Sequence, residues 1–169
     1  MAYFCVNKEK IRMTIELWSL GKQDKSELQS AIELYEKRLK HYTKFKMVTI
    51  DNSKINKNQS KELILDREAE LIVSKLSDKD LLVCLDERGI ALTSIKLAEK
   101  LNQWMNSSPA RIIFLIGGSY GIAESLHTKA LYKLSLSMLT FPHQLVRLIF
   151  AEQLYRAFTI LKNEKYHHE

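Results

Sequence analysis

The chain has 169 residues, of which 46% are hydrophobic and 27% are charged, a balance typical of one globular domain with a sizeable core. No apolar run approaches the roughly 20 residues of a membrane span, no signal peptide pattern opens the chain, and two cysteines exclude a disulfide framework or a cysteine-based zinc site. The net charge of +6 lies in the first third, because residues 1–61 carry 13 Lys and Arg against 7 Asp and Glu, whereas residues 62–169 carry 13 of each. We therefore expect a cytoplasmic protein whose basic third either binds a polyanion such as nucleic acid or is simply a solvated lysine-rich surface.

Strands and helices are predicted to alternate from Met13 onward, after twelve residues without a clear period. The predicted elements are a strand at 13–20, a helix at 26–42, a strand at 45–50, a helix at 61–76, a strand at 80–86, a helix from about 93 to 104, a strand at 111–118, a helix at 123–132, a short strand or extended loop at 134–139, and a helix from 143 to about 163. This alternation predicts an α/β domain with a mainly parallel sheet.

Three predicted strand ends carry residues that suit a binding site. They are Leu85-Asp86 after the third strand, Gly117-Gly118 after the fourth, and residues 136–141 near the fifth. Ligands of open α/β sheets bind beyond the carboxyl ends of the strands. We therefore expect the three ends to converge on one ligand.

The segment GGSYG at residues 117–121 separates a buried strand from a helix. Glycines there allow backbone N–H groups to approach a ligand closely and tolerate a positive φ. The segment matches neither the dinucleotide pattern G-x-G-x-x-G nor the phosphate loop G-x-x-x-x-G-K-[ST]. A tight strand-to-helix turn without a ligand is the alternative interpretation.

The last predicted helix is entered through Thr140, Phe141, Pro142 and His143. Proline forces the preceding Phe141 into an extended conformation and suits the first turn of a helix, which the Thr140 hydroxyl could cap. His143 would lie in that first turn, where the helix dipole disfavours its protonation. Its alternative role is that of a packing histidine.

Charged and aromatic residues continue along this helix and beyond it. Arg147 and Arg156 are nine residues apart and so fall on opposite sides of a helix, while Glu152, four residues before Arg156, is its predicted partner. The terminal Tyr166 and His167 either belong to a frayed tail or stack on an unpaired base.

The order LDERG, FLIGGSYGI and LSLSMLTFPHQLVRLIFAEQLYRAFTILKNEKYHHE closely resembles the RlmH family of bacterial ribosomal RNA methyltransferases, within the SPOUT superfamily. The resemblance runs from Met13 to Glu169 and is strongest in TFPHQLVR…AEQLYRAF…YH. It implies a single SPOUT methyltransferase domain at 13–169. Residues 1–12 precede the usual family start and are predicted to be an N-terminal extension, the alternative being a misplaced start. It also implies a mainly parallel sheet flanked by helices, a C-terminal trefoil knot, and a homodimer formed through the knotted region.

The resemblance further implies S-adenosylmethionine as the methyl donor, with no metal. Residue by residue, the donor site it implies consists of the three strand ends: Leu85, Gly117, Leu136, Ser137, Met138, Leu139, Thr140 and Phe141. The implied substrate is pseudouridine 1915 of 23S rRNA in the assembled ribosome, methylated at N3.

Transfer to N3 needs alignment of donor and acceptor and stabilisation of the negative charge that the base develops when its imide proton leaves. The residues we expect to make those contacts, some of them from a partner subunit, are His143, Arg147, Tyr166 and His167. His168 stands where the family usually has Arg or Lys, so the basic N-terminal third is a candidate to supply the missing contact with rRNA phosphates.

Two other functions remain as alternatives. A ribosome-associated RNA-binding protein without catalysis would have lost the donor segments, yet GGSYG and LSLSMLTF are intact. A different α/β enzyme with a nucleotide cofactor is disfavoured, because both standard phosphate-loop patterns are missing.

Overall fold

The computed structural model describes residues 13–21 and 27–166, so the predicted extension at 1–12 and the predicted site residue His167 lie outside the described part. The elements in chain order are β1 (Thr14–Leu20), α1 (Gln29–Leu39), β2 (Lys44–Ile50), α2 (Lys61–Val73), β3 (Asp80–Ala91), α3 (Ser94–Asn106), β4 (Arg111–Ile116), α4 (Glu124–Lys129), β5 (Tyr132–Ser135) and α5 (His143–Leu161). The predicted alternation of strands and helices is confirmed.

The five strands form one parallel sheet in the order β2-β1-β4-β3-β5. This order confirms the predicted parallel α/β architecture. It also brings the interruption of β3 after Leu85 side by side with the carboxyl ends of β4 and β5, and these three places carry the predicted site residues. The implied knot and homodimer stay predictions.

Helices cover both faces of the sheet. Successive residues of a strand point to opposite faces, so the side chains of one strand are divided between two hydrophobic clusters. On β4, Ile112 and Phe114 pack into a cluster with residues of α1, α3 and α5, whereas Ile113 and Leu115 pack into a second cluster with residues of α2 and α4. Burial on both faces explains why RIIFLI is a continuous apolar run.

Two element ends differ from the sequence prediction. β3 does not stop at Asp86: after an interruption it pairs again with β5 and ends at Ala91. The helix predicted at 123–132 ends at Lys129, and Tyr132 already belongs to β5. Both errors have one cause, since pairing between β3 and β5 is a tertiary contact that local periodicity does not report.

Among the helices of the described residues, none combines the length and the apolar content that crossing a membrane requires.

Candidate functional site

A cavity of about 540 Å³, here called the main cavity, lies at the carboxyl edge of the sheet beyond β3, β4 and β5. Seven of the eight residues predicted to hold the donor line it: Leu85, Gly117, Leu136, Ser137, Leu139, Thr140 and Phe141. The eighth, Met138, stands outside this lining and is 88% exposed. The parallel sheet therefore brings the three predicted strand ends together, and their binding of a donor stays a prediction.

One wall of the main cavity is the glycine turn, residues 117–121 between β4 and α4. Gly118 and Gly121 bond each other reciprocally, each backbone N–H donating to the other's carbonyl oxygen at 3.1 and 3.0 Å. Gly121 has a φ of +88°, which favours glycine. A Cβ on Gly117 would lie 2.4 Å from the Gly121 carbonyl oxygen, so a side chain at 117 would force the turn open.

A second wall is the interruption of β3 around Asp86, Glu87 and Arg88. Asp86 Oδ1 accepts hydrogen bonds from the backbone N–H and the Nε–H of Arg88, at 2.9 and 3.2 Å. Burial alone would raise the pKa of Asp86, but the bonds from Arg88 hold it below its ordinary value, so the carboxylate is ionised. The Arg88 side chain is 73% exposed, which leaves a cation at the cavity rim.

His127 closes the other side of this carboxylate. Its Nε2 lies 3.1 Å from Asp86 Oδ2, within ion-pair distance although not oriented as a hydrogen bond. Both side chains are buried, so His127 of α4 packs against the interrupted part of β3.

The sequence prediction gave no role to two cations of the main cavity. Lys61 and Arg88 both line it. Arg88 lies inside the quoted LDERG segment, which the sequence alone describes equally well as a simple turn. No local pattern marks Lys61, the first residue of α2.

His143 is the first residue of α5, as predicted, and it lines the main cavity. Thr140 does not cap this helix. The N-cap position is occupied by Pro142, which makes no side-chain capping bond. Burial first and the charge of Arg147 second lower the pKa of His143 below its ordinary value of 6.5. The imidazole is therefore neutral at pH 7 and can accept a hydrogen bond.

The titration of His143 tests this arrangement. By NMR we expect a pKa below 6.5 in the native chain, and in Arg147→Met a pKa that rises but stays below 6.5, because burial is the larger cause. Since the folded-state pKa is depressed, the unfolded chain takes up this proton first, and His143 must destabilise the fold as pH falls below 6.5. A native pKa above 6.5 would contradict the partly buried placement of His143.

Arg147 lies behind His143, one turn further along α5, and outside the lining of the main cavity. Only 9% of it is exposed, and its Nη2 donates to Ser19 Oγ of β1 at 2.5 Å. Because Arg147 lies close to His143, its positive charge lowers the pKa of His143. Its predicted contact with the RNA base stays a prediction.

Tyr166 lies at the other end of α5. Its hydroxyl donates to Glu152 Oε1 at 3.3 Å and lies 3.4 Å from the Tyr35 hydroxyl of α1. The hydrogen bond with Tyr35 and then burial raise the pKa of Tyr166 to about 12, so the phenol is protonated at pH 7. The predicted pair of Glu152 and Arg156 is confirmed, with Nη2 2.6 Å from Oε1.

The candidate catalytic residues are thus separated within one subunit. The Tyr166 ring packs edge-on against Tyr155, and Tyr155 is twelve residues beyond His143, or about 18 Å along a helix at 1.5 Å per residue. Tyr166 therefore does not meet His143 in the same chain.

In the described part of the chain, no group of three or more His, Cys, Asp or Glu side chains is arranged to hold a metal ion.

The chain is similar in sequence to known methyltransferases. The family model described as "Predicted SPOUT methyltransferase" matches residues 13–167. The chain belongs to the SPOUT methyltransferase family. It is 48% identical to the ribosomal RNA large subunit methyltransferase H of Flavobacterium johnsoniae, covering 93% of this chain and 100% of that protein. The protein of the same name from Christiangramia forsetii is also 48% identical, over 92% of this chain and 99% of the relative.

Among solved structures, a probable methylase family protein from Haemophilus influenzae aligns with a TM-score of 0.48 and 14% identity, covering 94% of this chain and 71% of that chain. That likeness is weaker than the sequence match, and the membership in the SPOUT methyltransferase family rests on the family model and the curated relatives.

As a SPOUT methyltransferase, the chain is an enzyme whose family implies an S-adenosylmethionine-type methyl donor. The residues of the main cavity fit such a group. Its volume of about 540 Å³ lies within the range of small-molecule sites, roughly 300–1,000 Å³. Apolar side chains such as Leu85, Leu136 and Phe141 line it, and the glycine turn brings backbone polar groups to its wall.

Proposed function

We propose that this SPOUT methyltransferase transfers a methyl group from S-adenosylmethionine to N3 of a pseudouridine in 23S rRNA, at position 1915, acting on the assembled ribosome in the cytoplasm. The observation that carries the proposal is the main cavity, where seven predicted donor residues meet the neutral His143. Relatives at 48% identity named ribosomal RNA large subunit methyltransferase H support the choice of rRNA.

The donor would be held by Leu85, Gly117 and residues 136–141. When it is bound there, it would displace water from the main cavity. When bound, it supplies an electrophilic methyl group on a sulfonium. The chain's contribution is orientation, since alignment of an acceptor with a fixed donor removes much of the entropic part of the barrier.

Methylation of N3 requires that the imide N–H lose its proton while negative charge spreads onto the flanking carbonyl oxygens. A neutral His143 at the cavity can accept a hydrogen bond from that N–H. Lys61 and Arg88 line the main cavity, where positive charge would attract the phosphates of the RNA, although the guanidinium of Arg88 is already paired with Asp86.

The proposal includes a homodimer. Tyr166 packs against Tyr155, which lies about 18 Å along α5 from His143. It could therefore serve catalysis only by reaching the main cavity of a partner subunit, together with His167. The basic surplus of residues 1–61 would then contact rRNA phosphates that His168 cannot neutralise.

Calorimetry with S-adenosylmethionine and mass mapping of rRNA test the proposal in two steps. We expect donor binding by the purified chain, and loss of one methyl group from one pseudouridine of 23S rRNA in a strain that lacks the gene. No binding at millimolar donor would favour the alternative of an RNA-binding protein without catalysis. Donor binding by the purified chain, together with unchanged rRNA modifications in the strain that lacks the gene, would indicate a methyltransferase with another substrate.

A further inference from the structure

Tyr120, in the glycine turn, carries the most exposed aromatic ring of the described residues. It is 49% exposed, whereas every other phenylalanine, tyrosine and tryptophan at 13–21 and 27–166 is buried or half-buried. Within this part of the chain its ring packs against no other aromatic ring, and its hydroxyl makes no hydrogen bond. The face of the ring is therefore available to a ligand.

The backbone that carries this ring is held from two sides. Ser119 and Tyr120 form the tip of the glycine turn, and the reciprocal bonds between Gly118 and Gly121 close the turn beneath them. Behind the turn, the carboxyl group of Glu68 fills the space that a Cβ on Gly118 would need, with Oε2 2.6 Å from that position. The turn therefore presents the Tyr120 ring from a fixed backbone.

Tyr120 lines the main cavity together with His143 and Lys61, and Lys61 is exposed. The cavity thus combines an aromatic face with a positive charge, next to the imidazole that can accept a hydrogen bond from N3. Aromatic side chains on which bases stack, and cations that contact the adjoining phosphates, are the features by which proteins hold unpaired RNA.

The exposure of Tyr120 separates it from the predicted donor residues. Leu85 is 8% exposed and Gly117 is buried, so the donor residues that end β3 and β4 lie deep in the main cavity. Tyr120 stands at the outer side of the same cavity, where the acceptor has to enter. The ring is therefore placed to contact the acceptor rather than the donor.

The chemistry at N3 requires an unpaired acceptor. The N3–H group is the donor that pseudouridine uses in a Watson–Crick pair, so a paired base cannot be methylated there. A base that leaves its helix also loses its stacking neighbours, and enzymes that act on such bases replace them with aromatic or apolar side chains. An exposed tyrosine in the same cavity as His143 supplies that replacement.

We infer that Tyr120 is the platform on which the base to be methylated stacks, and that Lys61 contacts a phosphate beside that base. This inference rests on the proposed function, since it takes an unpaired RNA base as the methyl acceptor. Tyr120 binds the face of the base and takes no part in the proton transfer, because stacking leaves the edge that carries N3 free.

Steady-state methylation of ribosomes from a strain that lacks the gene tests the inference. Tyr120→Leu keeps an apolar side chain but removes the ring, and we expect the KM for ribosomes to rise about tenfold, with kcat within about threefold of native. Tyr120→Phe and Tyr120→Trp keep the ring and should stay within about twofold of the native KM. Lys61→Gln should raise the KM about threefold and weaken its dependence on salt.

Leu34→Ala is the matched control, because Leu34 of α1 is 47% exposed and stands outside the lining of the main cavity. We expect it to leave both KM and kcat at their native values. Calorimetry with S-adenosylmethionine should also give the native donor affinity in Tyr120→Leu, since the ring contacts the acceptor.

Four results would overturn the platform. They are a native KM in Tyr120→Leu, a rise in KM that Tyr120→Phe shares, a weaker donor affinity in Tyr120→Leu, and a changed sedimentation coefficient in that variant. The third would assign the ring to the donor, and the fourth to a contact between two copies of the chain. If the native chain methylates no such ribosomes, the proposed function fails as well, whereas native turnover with an unaffected Tyr120→Leu overturns this inference alone.

Discussion

Gly117→Ala is expected to weaken the binding of S-adenosylmethionine at least tenfold. The added Cβ would lie 2.4 Å from the carbonyl oxygen and 2.5 Å from the carbonyl carbon of Gly121, and 2.7 Å from Ile122 Cγ1. Two of these are backbone atoms that cannot rotate away, so the turn must open. Overpacking of this kind costs about 1–3 kcal/mol, and about 1.4 kcal/mol corresponds to a factor of ten in affinity.

Isothermal calorimetry measures this loss, and Gly21→Ala is the control. Gly21 also has a positive φ, +133°, but a Cβ there would meet no atom within 4 Å. We expect Gly21→Ala to lower the unfolding free energy by about 1 kcal/mol through backbone strain while leaving donor affinity unchanged. Native affinity in Gly117→Ala would mean that the glycine turn is not a wall of the donor site.

Arg147→Met is expected to reduce turnover on ribosomes more than tenfold while changing donor affinity less than threefold. The guanidinium lies one turn behind His143, and its loss removes a positive charge that would stabilise the negative charge developing on the base, without changing a residue that lines the main cavity. The unfolding free energy should also fall by about 2 kcal/mol, because a buried hydrogen bond from a charged group to Ser19 is lost.

Ser19→Ala separates the catalytic from the structural effect. It removes the same hydrogen bond but leaves the guanidinium and its charge beside His143. We expect a comparable loss of stability in chemical denaturation, with turnover within threefold of the native chain. If Ser19→Ala loses as much turnover as Arg147→Met, Arg147 acts only by holding α5 against β1.

Much of the fold follows from local patterns. The apolar run at Arg111–Ile116 is buried on both faces, and the alternation of elements predicts a parallel sheet, which the structure has. The general rule that ligands bind at carboxyl ends of strands then selects Leu85, Gly117 and residues 136–141, and all of these except Met138 line one cavity.

The parts that could not be predicted depend on contacts between distant segments. The second half of β3 exists only because Ile90 and Ala91 pair with β5. The burial of Glu68 depends on where α2 meets the glycine turn. One local hint existed, since Glu68 stands midway between the buried Ile64 and Ile72 at helical spacing, where an apolar residue is expected.

The helix α5 joins His143 at the main cavity to Glu152 and Arg156 without any loop between them, and Tyr166 contacts Glu152 from beyond the end of the helix. One inserted residue after Arg147 would lengthen the helix by about 1.5 Å and rotate its far end by about 100° relative to His143. Substitutions along α5 can be absorbed locally, but a change in the number of its residues cannot. The helix therefore fixes the distance and the angle between the main cavity and the cluster of Glu152, Arg156 and Tyr166. We expect insertions to be tolerated only outside α5.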